Sequence, residues 1–340
     1  MILVRAPFRI SFVGGGTDLR DFYSKYPGRV LSTSIDKYMY IALNRTPLVN
    51  KVSARYSKSE TVSHPNELQH TRVKAALLDL GITNNIEVAS FAPLPSGTGL
   101  GSSSSFSVAL AKALNAYLGK KIDKREAAEA ACRLEIELLK EPIGKQDQYA
   151  AAFGGFNIIQ FNADETVTVE PVLADFKKTL GLQAHSLLFF TGLTRDASSV
   201  LTKQKANTEK KFEVLKAMSD SVFDFRDRFV GGDFQGMGKM LHEGWTMKKT
   251  LASNVSNPAL DALYAAGMNN GAWGGKVLGA GGGGCILFLA PVEKQLAIRK
   301  ALAETAKTHT LHESKEIPFQ FVQSGVETIF NGDHLGTTLS

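Results

Sequence analysis

Three features of this 340-residue sequence predict an α+β fold in two domains. The first half opens on a run of extended segments before any long helix, an order that favours α+β over a doubly wound parallel sheet. A glycine- and serine-rich stretch, residues 92–105, then joins a strand pattern to a helix pattern. A second glycine-rich stretch, residues 279–284, has strand residues on both sides and so belongs inside a folded domain. The length suffices for two domains. The boundary is expected between 171 and 184, giving domains over 1–172 and 173–340.

Taken in order, residues 2–13 read as extended with a break at Pro7, and they run into Gly14-Gly15-Gly16-Thr17-Asp18. Three glycines let backbone approach a ligand closely. Asp18 either accepts hydrogen bonds from sugar hydroxyls, with Arg9 just upstream, or caps a short helix over 19–23. Residues 30–35 and 38–43 alternate as strands about a hairpin-like turn at Asp36-Lys37, and 52–56 add another strand. A helix over 66–80 stops at Gly81, and 85–91 form the strand that enters the first glycine-rich stretch.

In Pro95-Ser96-Gly97-Thr98-Gly99-Leu100-Gly101-Ser102-Ser103-Ser104, glycines remove side chains where backbone must come close to something. Hydroxyls and free N–H groups at a helix start favour an anion. The stretch reads as a phosphate cradle. It lacks the closing Gly-Lys-Ser/Thr of a Walker A loop and is not the dinucleotide G-x-G-x-x-G. Phe106, Leu110, Leu114, Tyr117 and Leu118 carry the helix to a stop at Gly119.

Asp123-Lys124-Arg125-Glu126 is a capping box that opens a helix through about residue 140. Glu135 borders its apolar side, where a carboxylate must snorkel to water, pair or bind a cation, whereas Glu137 points elsewhere. Pro142 and Gly144 break the helix. Asp147, beside Lys145, is a base or hydroxyl-orienting carboxylate, or simply a helix N-terminal charge. Residues 156–161 and 166–170 read as a closing hairpin. The second half holds a strand over 185–190, the turn Thr191-Gly192-Leu193-Thr194-Arg195, and helical patterns to 229 and over 234–250, 258–266 and 293–306. Strands over 319–322 and 327–330 close the chain.

Hydrophobic residues at 44% and charged residues at 21% are ordinary for a soluble globular protein. No apolar run reaches the length of a membrane span, so a cytoplasmic protein without a membrane partner is expected. The net charge of +6 fits an anionic partner. The absence of a basic tract interleaved with aromatics argues against nucleic acid. Cys132 and Cys285 read as buried structural thiols, and the seven histidines form no zinc pattern, leaving oxygen ligands for any metal.

Three segments in order, residues 6–18, 93–105 and 276–285, are similar to the galactokinase, homoserine kinase, mevalonate kinase and phosphomevalonate kinase (GHMP) family. The resemblance implies a two-domain GHMP kinase fold, with an N-terminal domain like the second domain of ribosomal protein S5 and a ferredoxin-like C-terminal domain. ATP and substrate would meet in the cleft between them. By position, residues 95–105 would wrap the ATP phosphates. Ser103 and Glu135 would hold Mg2+, with Glu137 the alternative, and Asp147 would face the acceptor hydroxyl. Lys145 would steady Asp147 or offset charge on the γ-phosphoryl group. Arg9, Gly14, Gly15, Gly16, Thr17, Asp18, Arg195, Gly281 and Gly282 would bind substrate. Gly14-Gly15-Gly16-Thr17-Asp18 departs from the galactokinase pattern Gly-Glu-His-Thr-Asp. Together with Gly144-Lys145-Gln146-Asp147-Gln148 it resembles the heptose kinase branch, which implies a small-molecule sugar phosphate, a heptose 7-phosphate, phosphorylated on its anomeric hydroxyl. Its far phosphate would need Arg9, Arg20, Arg195, Lys203 or Lys205. A free-sugar kinase and a catalytically silent sugar sensor stay as alternatives, and a homo-oligomer is left open.

Overall fold

The protein is described from a computed structural model that covers residues 1–194 and 197–332. β1 (Ile2–Val13) is followed by the one-turn α1 (Arg20–Tyr23) and by β2 (Gly28–Arg45), which pairs antiparallel with β1 over most of its length. β2 is one long strand, not two about a turn. Pro7 faces Tyr38 and Phe8 faces Ile35, so Asp36 and Lys37 are extra residues bulged out of the ladder. The bulge is pinned from outside, because the Asp36 N–H donates to the Gln320 carbonyl and the Gln320 N–H to the Asp36 carboxylate. Pro7, which has no N–H to give, sits at this irregularity and does not break β1.

β3 (Val52–Arg55), β4 (Ser59–Val62) and, after α2 (Thr71–Asp79), β5 (Ile86–Phe91) extend the sheet past β2. α3 (Ser102–Tyr117) packs on β1 and β2, and α4 (Lys124–Cys132) starts at the expected capping box. The helix does not simply run on to residue 140: from Arg133 to Leu138 it is π-helical, and Lys140 turns left-handed at a φ of 56°. α5 (Gln146–Phe153) leads into the hairpin β6 (Asn157–Phe161) and β7 (Val167–Pro171).

The second layer of structure runs α6 (Phe176–Ala184), β8 (Ser186–Phe190), α7 (Ala197–Asn207), α8 (Phe212–Gly231), α9 (Phe234–Lys249), α10 (Pro258–Asn269), β9 (Gly274–Val277), β10 (Cys285–Leu289), α11 (Gln295–Thr308) and β11 (Lys315–Glu316). Its four antiparallel strands lie in the order β11-β8-β10-β9. Strand, helices, two strands, helix, strand is the ferredoxin-like alternation.

The chain then returns. β12 (Phe321–Val322) pairs with β2 and β13 (Glu327–Asn331) pairs with β1, completing a nine-stranded sheet among the described residues. A division at residue 172 therefore puts these strands on the wrong side: they are sequentially last but belong to the first sheet. The halves also share a core. Phe12 of β1 lies 5.4 Å from Phe225 of α8, and Phe156 lies 4.6 Å from Phe229, ring centroid to centroid.

Candidate active site

A cavity of about 800 Å³ opens where the two glycine-rich stretches meet. The first stretch, from Pro93 to Gly101, enters α3 as anticipated, with Gly97, Gly99 and Gly101 at positive φ. Ser96, Gly97, Gly99 and Gly101 to Ser104 line the cavity, and Gly101 is the residue before the helix. The helix N-terminus thus offers unpaired N–H groups to that space. Pro95 lies outside it, and Leu100 turns its side chain into the core. Thr98 is also buried, where its carbonyl accepts the N–H of Cys285 at 2.9 Å.

The second stretch meets the first backbone to backbone. A Cβ on Gly99 would stand 2.6 Å from the Leu278 carbonyl, and one on Gly279 would stand 2.8 Å from the Gly99 Cα. Gly279 and Ala280 line the cavity; Gly281 and Gly282 do not, packing instead on Val255, whose carbonyl accepts the Gly282 N–H at 2.6 Å. The substrate role expected of Gly281 and Gly282 is thereby corrected. The missing side chain of Gly281 serves packing within the chain, since a Cβ there would stand 2.5 Å from the Val255 carbonyl.

β1 carries Arg9 into this junction, almost fully buried. Its guanidinium forks onto both oxygens of Asp147 at 2.8 Å each and donates to the Gly99 carbonyl at 2.6 Å. Asp147 sits in the first turn of α5 and faces the cavity, with about a quarter of its side chain exposed. Bidentate pairing fixes the plane of the carboxylate while leaving lone pairs open to the cavity. Lys145 is not its partner. Two residues apart on a helix point in nearly opposite directions, and Lys145 reaches Glu165 at 2.7 Å and covers the Tyr23 ring. Burial pushes the Glu165 carboxylate up, but hydrogen bonds from Lys145, Arg20 and Tyr23 prevail and hold it at about 2. Arg20 is likewise spent on Glu165 at the surface, and Lys203 and Lys205 are exposed, away from the cavity wall. Arg195 lies outside the described residues.

Asp18 also lines the cavity. It does not cap α1, whose first flanking residue is Leu19; its carboxylate accepts from the Gly16 N–H and from the Gln146 side-chain amide at 2.9 Å. Burial, and then the charge of Asp147, raise its pKa, and the Gln146 hydrogen bonds only partly oppose this. Gly15 and Gly16 lie beside it at the cavity wall, and no neighbour would meet a Cβ on Gly15. Gly14 and Thr17 hold the loop instead: the Thr17 hydroxyl donates to the Gly14 carbonyl at 2.8 Å and accepts the Arg29 N–H at 2.9 Å.

Glu135 is fully enclosed. Its carboxylate accepts from Ser104 and Ser107 hydroxyls at 2.9 Å each, from the Gln148 amide and from Arg72. Four donors fill its acceptor sites. The π turn presents it to α3, and Glu137 is left outside, paired with Arg133. Ser103 faces the cavity, exposed, while Ser104 points back to Glu135. Ser103 and Glu135 are therefore not brought to one point. The cavity offers magnesium the hard oxygen donors it prefers in its serine hydroxyls, but direct ligation by Glu135 does not fit this arrangement.

Several wall residues escaped the sequence reading. Arg72 and Glu141 pair at 2.7 Å beside Ser104. Gln204 of α7 reaches over Gly16, almost fully buried, with its amide nitrogen unpartnered. Lys248 and Lys276, both from the second half, also line the cavity. Lys276 opens the third family-like segment, so a signal existed for it; the spacing of Gln204 and Lys248 carried none.

Residues 69–155 match the family described as GHMP kinases N terminal domain, and 225–308 match GHMP kinases C terminal. The chain is 30% identical to the D-glycero-alpha-D-manno-heptose 7-phosphate kinase of Campylobacter jejuni over 88% of this chain and 93% of the relative. A crystal structure described as a putative sugar kinase from Campylobacter jejuni superposes with a TM-score of 0.75 at 28% identity, covering 96% of this chain and 97% of the other. A D-glycero-D-manno-heptose 1-phosphate kinase from Bacteroides thetaiotaomicron superposes with a TM-score of 0.80 at 24% identity, over 97% and 99% of the two chains, and shares the fold.

Proposed function

The chain belongs to the GHMP kinase family, whose sugar kinases are ATP-dependent phosphotransferases acting on hydroxyl groups, and on that premise we propose that it phosphorylates the anomeric hydroxyl of D-glycero-D-manno-heptose 7-phosphate. One observation carries the chemistry: a cavity-facing carboxylate, Asp147, held bidentate by Arg9 beside a glycine cradle at a helix N-terminus. Similarity to a heptose 7-phosphate kinase over most of both chains supports the acceptor.

In this reading the N–H groups opening α3 and the backbone of residues 96–101 receive the ATP phosphates. Asp147 orients the acceptor hydroxyl and takes its proton on a carboxylate oxygen. Arg9 keeps that oxygen aimed through its bidentate pair. An anomeric hydroxyl is more acidic than an ordinary alcohol, so a single carboxylate suffices, and phosphoryl transfer depends chiefly on positioning and charge. Gly15, Gly16, Asp18 and Gln146 meet ring hydroxyls at the other end of the cavity. Magnesium bound to the nucleotide would neutralise phosphate charge; Ser103 is the hydroxyl that would meet it, and Glu135 would act at one remove by holding Ser104.

The test is ADP release with ATP and magnesium across heptose 7-phosphate, free heptose, fucose and galactose, with NMR of the product. The expected result is the highest kcat/KM on heptose 7-phosphate and a new phosphate on the anomeric oxygen. Equal efficiency on the phosphorylated and free heptose would reject the acceptor assignment in favour of a free-sugar kinase.

A further inference from the structure

Two lysines from the second half, one on β9 and one on α9, line the cavity with no role in the chemistry above. Lys276 on β9 is 6% exposed, and its ammonium donates to the carbonyls of Ser11 at 2.9 Å and Phe12 at 2.7 Å. Lys248, near the end of α9, is 4% exposed and donates to the Gly279 carbonyl. Both line the cavity, as do Arg9 and Arg72, the latter paired with Glu135 and Glu141, so four cationic side chains reach it among the described residues. Of these, Arg9 is matched by a carboxylate; the partners of Lys276 are two neutral carbonyls.

Burying an ammonium against carbonyls alone is costly, because dipoles do not replace a counter-charge. Burial first, and then the nearness of Lys248 and Arg9, push the Lys276 pKa well below its ordinary value. Yet the ammonium carries three N–H donors and only two are used. An anion with tetrahedrally spread oxygens would take the third donor, bridge to Lys248 and relieve the repulsion between them. Lysine suits this as a compact point charge.

We propose that Lys276 and Lys248 form a phosphoryl-binding subsite in the cavity, where the second glycine-rich stretch meets the cradle. It rests on the reading of the cavity as a kinase site. Two groups of the same chemistry could fill it: the γ-phosphoryl of ATP, or the distal phosphate of the acceptor. The surface cations considered from sequence, Arg20, Lys203 and Lys205, cannot serve the second, since none lines the cavity.

The experiment measures Lys276→Gln and Lys248→Gln, each checked for folding by thermal melting, in two arms. The nucleotide arm compares the Kd of β,γ-imido ATP with that of ADP. The acceptor arm compares KM for heptose 7-phosphate with KM for free heptose. Loss of one charge-assisted bond to a phosphoryl group is expected to weaken binding by about 10–150-fold. Weakening of imido ATP but not ADP assigns the γ-phosphoryl; weakening confined to the phosphorylated sugar assigns the distal phosphate. Should Lys276→Gln fail to fold, Lys248→Gln carries the same comparison. Changes under about threefold in both arms, in a folded variant, overturn the subsite. If the wild type uses neither heptose, the acceptor assignment falls separately, and the nucleotide arm alone decides.

Discussion

Asp147 and Glu135 are both carboxylates close to the cradle helix, and the sequence marked both as candidates for chemistry. Their surroundings are opposite. Asp147 meets a single guanidinium and opens on the cavity. Glu135 is enclosed by four donors drawn from α2, α3 and α5, so that it ties the base of the phosphate cradle to the helices around it. The difference teaches that an acidic side chain is available for chemistry only in proportion to the lone pairs its neighbours leave open. In the proposed function the first region acts on substrate, and the second keeps that region in shape.

The largest expected separation between them is kinetic. Asp147→Asn removes the base and leaves Arg9 one acceptor at that side chain where it had two. Turnover should fall about 10²–10⁴-fold, with some loss of melting temperature because the buried guanidinium loses its counter-charge. Lys145→Met is the matching control and should leave turnover within a few-fold, because Lys145 serves Glu165. Steady-state kinetics on both variants, with melting curves, would break the comparison if Lys145→Met proved the more damaging.

Glu135→Gln should do the reverse. It turns an amide nitrogen toward donors that need an acceptor and strips Arg72 of a buried counter-charge. A destabilisation at the lower end of about 3–5 kcal/mol is expected, since Arg72 keeps some access to water and its pair with Glu141. Denaturant titration measures it. Full stability with lost magnesium dependence would instead make Glu135 a direct ligand.

The smallest effect sharpens the contrast with a third carboxylate. Asp18 is buried with no cation paired to it among the described residues, and its pKa in the folded state is raised by burial and by Asp147. The folded state therefore holds the proton more tightly than the unfolded one, and stability is lost as pH rises from the ordinary carboxylate range through the raised value. Asp18→Asn should melt higher than wild type at neutral pH, with the gain shrinking toward nothing at about pH 4. A variant that melts lower at neutral pH would show that the ionised form is the stabilising one.

Most of the strands, the cradle and the capping box were legible because they are local: periodicity, glycine placement and caps act over a few residues. The short β4 and β11 carry no such signal, and the ferredoxin-like plan came from the family resemblance. Asp36 and Lys37 misled because a bulge and a turn look alike in sequence, and only the distant Gln320 decides between them. Lys145 misled because adjacency in sequence is not adjacency on a helix, while the true partner, Arg9, lies far upstream on β1. The π turn that aims Glu135, and the reach of Gln204 and Lys248 from the other half, depend on packing between segments remote in sequence. No short window contains them.

The return of the last strand to the first has a consequence for biosynthesis. Translation delivers β1 before every other described strand and its outer partner β13 after all of them. Between those two points, one edge of the first sheet has bare N–H and C=O groups, the template on which strands of other chains can add. The N-terminal half cannot finish folding as it emerges. It waits, with that edge open, for the C-terminal layer to be made and passed, and a nascent chain stalled near residue 172 exposes what the finished protein conceals.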